Sequence, residues 1–278
     1  MKKIPQQIVG NVGQCIYCGK KDTKLSNEHI IPLGLNGFLL LKRASCAACA
    51  SITSDFEREV LRKSLLESRI GLDLPTRNKT KRPKNIKLTV QKNGAERIIQ
   101  LDPKENFSAM SFIEYLPPAY LEGRKVEKGI SVYASRIVQV SGPSIEDLKK
   151  KYDFDSLSIS TVWGANYFPR LLAKIAYGCA VAEFGLENIE KNYVLPYIMG
   201  EKFDGISEWV GTAKDKIITE KGFHTVRGGV NEKMDIIIRI KLFDLWDVPE
   251  YLVVVGKINK NAPKLQENQD PKKITPPL

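Results

Sequence analysis

The sequence predicts an α+β protein in which a small cysteine-stapled N-terminal unit precedes a larger region of mixed helices and strands. Three observations predict this. Four of the five cysteines form two Cys-x-x-Cys pairs, Cys15/Cys18 and Cys46/Cys49, inside the first 50 residues. Segments with apolar residues at helical spacing are interspersed with β-branched runs. No apolar run reaches the roughly 18 residues needed to span a bilayer.

With 278 residues the chain is long enough for two ordinary domains, or for one large domain with an appendage. Its 42% hydrophobic and 27% charged residues are those of a soluble globular protein. The start, "MKKIPQQIVGNVG", carries lysines but no apolar core of signal-peptide length, so a cytoplasmic location and no membrane partner are expected. Forty-three basic against 32 acidic residues give a net charge of +11. That balance favours a polyanionic partner, most commonly nucleic acid, although a merely basic soluble protein would share it.

Taken in order, residues 1–70 hold the cysteine pairs and then a helix, "SITSDFEREVLRKSLLESRIG". Ile52, Phe56, Val60 and Leu61 recur there at helical spacing, and Gly71 is its stop. Residues 71–104 read as a basic linker followed by a hairpin. Thr76 to Arg97 contains eight basic residues and one acidic, and "NIKLTV" and "ERIIQL" flank a turn containing "KNG". Residues 105–258 form an α+β region of unassigned role. In it "GISVYASRIVQVSG" is a strand or hairpin, and "SIEDLKKKY" is a helix with Ser144 as N-cap. "YFPRLLAKIAYGCAVAEFG" is the strongest helix, with Leu171, Leu172, Ile175, Ala176, Cys179 and Ala180 on a broad apolar face. Pro169 fits its first turn and Gly185 its end. "KMDIIIRIKLFDLW" and "EYLVVVGKI" are buried strands joined by a turn around Val248 and Pro249. Residues 259–278, rich in Lys, Asn, Gln and Pro, read as a flexible tail. No internal repeat is visible.

The cysteines carry the first chemistry. An odd count, paired spacing and no export signal argue for metal rather than disulfides. The 27 residues between Cys18 and Cys46 leave room for the two pairs to close one tetrahedral four-thiolate zinc site. Four protein ligands leave no open position, so this zinc is structural. Gly19 gives the first pair the tight backbone of a knuckle. In a segment with few large apolar residues the metal would supply much of the folding free energy. Cys179, on the apolar helix, reads as a packing residue.

Between the pairs lies "EHIIP", Glu28 to Pro32. A Glu-His-Ile-Ile-Pro run inside a zinc-stapled hairpin, then a glycine-bearing loop, then "ASCAAC" leading into a helix, resembles the HNH endonuclease family. The closer likeness is to its zinc-containing branch, over roughly residues 15 to 60. The resemblance implies a ββα-metal unit, two strands bearing the Glu-His pair followed by a helix, around one divalent ion. His29 would be the general base that deprotonates the attacking water, a role suited to an imidazole titrating near neutrality. Glu28 would help hold Mg²⁺ or Mn²⁺, which stabilises charge on the scissile phosphate. Pro32 would be structural. Read alone, a Glu-His dipeptide would do no more than hydrogen-bond to its neighbours; the flanking cysteine pairs favour a catalytic origin.

The chain departs from the family pattern at two places. The residue after the last cysteine is usually an Asn that serves as second metal ligand; here it is Ala50, which has no donor. The family's other Asn, which braces the loop carrying the histidine, falls at Leu41, and Asn36 would replace it only in a different register. Two explanations stand open: a ligand has been lost, by evolution or by design, or another oxygen donor replaces it. Thr53, Asp55 and Glu57 are the candidates, and Asp55 and Glu57 also read as ordinary exposed or salt-bridged helix residues.

The resemblance thus implies hydrolysis of DNA phosphodiester bonds and makes a role in restriction or phage defence plausible. RNA fits the charge equally well. The alternative is a zinc-knuckle DNA-binding or scaffold protein without catalysis. Arg77, Lys79, Lys81 and Arg82, with Arg58 and Arg62 on the helix, are candidate phosphate contacts, or a solvated linker and helix face. His224 reads as a loop or strand residue, and Trp163, Trp209 and Trp246 as core or interface residues. The C-terminal region is open to DNA binding, ligand sensing, or contact with a partner subunit or second copy.

Overall fold

The computed structural model describes residues 5–76, 80, 82–103, 105–126, 128–158, 166–215 and 222–260. Arg77, Lys79, Lys81, Trp163 and the tail from 261 onward lie outside the described residues. The N-terminal elements are β1 (Gln7–Asn11), β2 (Leu25–His29), β3 (Leu39–Cys46) and α1 (Ala47–Glu59), then a π-helical turn Val60–Ser64 and α2 (Leu66–Gly71). The middle holds β4 (Ile86–Lys92), β5 (Ala95–Leu101), β6 (Ser108–Tyr115), α3 (Ala119–Glu122), β7 (Val132–Ser141), α4 (Ile145–Tyr152) and β8 (Ser156–Ser158). The C-terminal part holds α5 (Tyr167–Phe184), β9 (Ile189–Asn192), α6 (Leu195–Ile198), β10 (Val210–Thr212), β11 (His224–Val230), β12 (Asp235–Leu242) and β13 (Tyr251–Ile258). The chain is a mixed α+β protein, as its sequence predicts.

In the N-terminal unit β3 is central. β1 pairs with it in parallel and β2 antiparallel, so the sheet order is β1-β3-β2. Glu28 lies opposite Leu41 and His29 opposite Leu40. Because strand side chains alternate, Glu28 is buried on one face and His29 is half-exposed on the other. The single helix expected over residues 51–71 is interrupted. At the π turn the Leu65 amide bonds to the Val60 carbonyl, 3.1 Å away. The wider turn lets Val60 and Leu65, five positions apart, both face the core.

The hairpin read around "KNG" is present. Asn93 and Gly94 take φ of 50° and 78°, the left-handed pair that a tight two-residue β-turn requires. Its sheet runs β5-β4-β8. Leu88, Val90 and Leu101 share a small core with Phe107, Leu148 and Phe154. The Ser144 hydroxyl caps α4 by accepting the Asp147 amide at 3.1 Å. β6 and β7 form a separate hairpin.

The C-terminal sheet runs β10-β13-β12-β11, with β9 also on β13, and all its pairs are antiparallel. α5 lies between this sheet and α1, with Leu171, Leu172, Ile175, Ala176 and Ala180 fully buried. One apolar cluster runs from Cys15 to Ile258 and so crosses the positions 70 and 104 at which composition changes. Cys179 is buried within it, as a packing residue should be. Among the described residues, no helix is long and apolar enough to cross a membrane.

Candidate functional site

The four sulfurs of Cys15, Cys18, Cys46 and Cys49 lie within 4.8 Å of one another. The Cys18 and Cys46 sulfurs are 3.7 Å apart, close to the edge of about 3.8 Å that a tetrahedron of Zn–S bonds near 2.3 Å implies. Local backbone explains the convergence. Gly19 takes φ +73° just after Cys18, and its amide returns to the Cys15 carbonyl at 2.8 Å. Ile16 donates to Ala44 at 2.8 Å, which lays the first pair against the end of β3. Cys46 is the N-cap of α1. The Cys49 amide draws the Cys46 thiol down to about 7, toward the thiolate a metal binds, whereas burial pushes the Cys15 and Cys49 thiols up. The donor set fits structural zinc.

The second centre lies between β2 and α1. Glu28 does not face an open cation position. Its carboxylate accepts from Lys174 Nζ at 2.8 Å, and the Glu57 carboxylate accepts from the same atom at 3.0 Å. The ammonium also donates to the His29 backbone carbonyl, with the Ile30 carbonyl 3.4 Å away. Lys174 is 1% exposed. Burial works against its charge, but the charges of Glu28 and Glu57 and their hydrogen bonds outweigh burial and raise its pKa, so it is protonated. The Tyr17 hydroxyl beside these carboxylates is pushed well up, by burial first and then by the charges of Glu28 and Glu57.

His29 Nε2 lies 3.1 Å from the side-chain nitrogen of Gln6. A hydrogen bond there has the amide donating to Nε2, which goes with the tautomer protonated on Nδ1.

The three candidate replacement donors separate cleanly. The Thr53 hydroxyl turns back to donate to the Ala50 carbonyl at 3.2 Å. Asp55 is exposed and pairs with Arg58, the ordinary role considered for it. Glu57 converges with Glu28. It lies seven residues beyond Ala50, within about 20° of the same helix face. Leu41 is fully buried, and Asn36 sits in a left-handed turn after Leu33–Leu35, where its amide bonds back to Leu33. Arg62 is exposed, whereas Arg82 is drawn inward to Asp73 and the Leu74 carbonyl.

Residues 15–66 match the family model described as HNH endonuclease. This segment is an HNH unit. Its four cysteines fit the zinc-knuckle branch, and its family supports a nuclease, a nucleic-acid-binding hydrolase of phosphodiester bonds. No curated protein and no solved structure matches the chain.

Two residues outside the HNH segment, Lys174 and Tyr177, escaped the sequence reading, and each touches it. Lys174 is the first. One turn later on α5 the Tyr177 hydroxyl donates to the Ile16 carbonyl at 2.5 Å, and its ring tilts against Tyr17 at 6.0 Å. His224, placed in a strand as one of the two readings had it, is buried and reaches Leu35. The one available sequence signal was Lys174 itself, a lone charge inside the apolar run "LLAKIAYGCA".

Proposed function

We propose that this chain is an HNH-type endonuclease acting on DNA phosphodiester bonds, with His29 as the base that takes a proton from the attacking water. The observation that supports it is the placement of His29. The zinc-stapled hairpin holds it half-exposed at the end of β2, with Nε2 3.1 Å from the Gln6 side-chain amide. Lys174 fixes the backbone beneath it through the His29 carbonyl. The zinc staple and β3 hold the strand in register, which keeps the base still relative to a bound backbone. Arg58, near the end of α1, and Arg62, in the π turn that follows it, are exposed, and phosphate positioning is the role we assign them. The same charge suits RNA. A role in restriction or phage defence is supported by the family resemblance alone.

A divalent ion held by Glu28, as the resemblance implies, does not fit the side chains present. The Glu28 carboxylate is already paired with a buried ammonium, and Ala50 offers no donor. The same two observations favour a second reading, in which the HNH unit binds DNA without cutting it.

Cleavage of supercoiled plasmid by the parent, His29→Ala and Ala50→Asn, with DNA binding measured in parallel, separates the two. The endonuclease reading expects nicking by the parent and a loss of roughly 10²–10⁴ in rate for His29→Ala at unchanged affinity. Binding by all three without cleavage establishes the second reading instead.

A further inference from the structure

Two carboxylates of the HNH unit point at one spot, and the chain itself fills that spot. Glu28 comes from β2 and Glu57 from the face of α1 that also bears Ala50. Their oxygens stand 2.8 and 3.0 Å from the same nitrogen. The His29 carbonyl completes the set, so the three N–H bonds of an ammonium meet three oxygens. All three oxygens belong to the segment matched as HNH, whereas the nitrogen lies 145 residues beyond His29.

The helix that brings it is not a movable arm. Around Lys174, the α5 residues Leu171, Leu172, Ala173, Ile175 and Ala176 are fully buried. Arg170 lies over the Phe56 ring at 4.7 Å, and Tyr177 is bonded to Ile16. These positions, with Lys174, form a stripe at i, i+4 and i+7 laid along the HNH unit. Withdrawing the ammonium would mean parting α5 from α1 and opening the main core.

We propose that Lys174 is the resident cation of this HNH centre and that Glu28 takes no divalent ion in the folded protein. The lysine is a positioning residue. It fixes the Glu28 and Glu57 carboxylates and the backbone of the base, and it does not reach a substrate. It stands where the Glu28 carboxylate would meet an ion, with one positive charge where a divalent metal would bring two, and chelators do not remove it. The proposal rests on the HNH reading only for the meaning of the Glu28 position.

The test is a titration of the zinc-loaded full chain with Mn²⁺, followed by the electron paramagnetic resonance signal of free Mn²⁺. It requires no cleavage, so a chain that cuts nothing still answers it. The reading is Glu28-dependent uptake, the difference between a protein and its Glu28→Gln counterpart. The parent should show none at millimolar Mn²⁺. Lys174→Met should gain one site, and Glu28→Gln in that background should remove it. Stoichiometric uptake by the parent that Glu28→Gln abolishes overturns the proposal, and so does a folded Lys174→Met protein that gains no site. Should Lys174→Met not fold, the parent and Glu28→Gln pair still decides.

Discussion

The HNH unit has two cation positions, and they are closed in different ways. The knuckle draws four thiolates from residues 15 to 49, all inside the matched segment, and leaves their charge to an ion from solution. The Glu28 centre draws two carboxylates from the same segment but takes its positive charge from α5, out of the C-terminal region. The first position is filled by binding, so it depends on metal concentration and on deprotonated thiols. The second is filled by folding, so it exists only while α5 is packed on α1. A local motif thus controls one site and the global core controls the other.

Breaking the local site should have the largest effect. Replacing Cys49 with Ser, or stripping zinc with a strong chelator, removes a contribution that reaches about 10 kcal/mol or more in small zinc modules. Because Ile16 and Tyr17 of the knuckle pack on Tyr177, the loss should spread into the main core and lower the melting temperature of the whole chain. Zinc content and thermal unfolding, measured together, check this. A metal-free chain that melts where the zinc-loaded one does would remove the staple from the account.

The fold-dependent site should cost less to break. Lys174→Met leaves Glu28 and Glu57 facing each other with no cation, a loss of about 3–5 kcal/mol for a buried pair robbed of one partner. The comparison sharpens when the charges go together. Glu28→Gln/Glu57→Gln/Lys174→Met should recover most of that loss, because a neutral cluster pays no desolvation of unpaired carboxylates. Urea midpoints of the two variants against the parent give the difference. Equal midpoints for the single and triple variants would mean that the lysine stem, not its charge, is what packs there.

The same contrast explains what the sequence disclosed. The four cysteines, the Glu28–His29 pair and the helix after Cys49 are legible because each depends on neighbours a few residues away. The turn at Asn93–Gly94, the Ser144 cap and the strands β12 and β13 are legible for the same reason. Glu57 remained one of three candidates, since helix periodicity places it on the Ala50 face but does not say what else reaches that face. Lys174 was hidden in plain view. A lysine between Ala173 and Ile175 reads as a polar interruption of an apolar helix until two acids from residues 28 and 57 are brought to it. The breadth of the core was likewise hidden. The basic stretch after residue 70 suggests that residues 105–258 stand apart from the N-terminal unit, but composition does not record that Met110, Phe112 and Val140 of that later region join the same buried cluster as Cys15.

His224 gives the smallest effect and the one that pH can tune. Its Nε2–H donates to the Leu35 carbonyl at 2.6 Å, in the turn that follows Pro32, and its Nδ1 accepts the Phe243 amide at 3.0 Å. The ring thus ties the HNH loop to the C-terminal sheet, and both nitrogens are satisfied only when it is neutral. A second proton on Nδ1 would face an N–H donor. Burial lowers its pKa to about 4, against weaker opposing contributions from the Leu35 carbonyl and Asp244. In the unfolded chain the ring titrates near 6.5. Between these values the unfolded state binds the extra proton, so the stabilisation is fully present above pH of about 6.5 and is lost as pH falls toward 4. The shift corresponds to about 3 kcal/mol. His224→Gln should flatten this part of the stability–pH curve, measured by urea unfolding from pH 7 down to 4.5, while lowering stability at pH 7 by the lost hydrogen bonds. A parent and variant whose curves run parallel through that window would show that the loop is held to the sheet without help from the neutral ring.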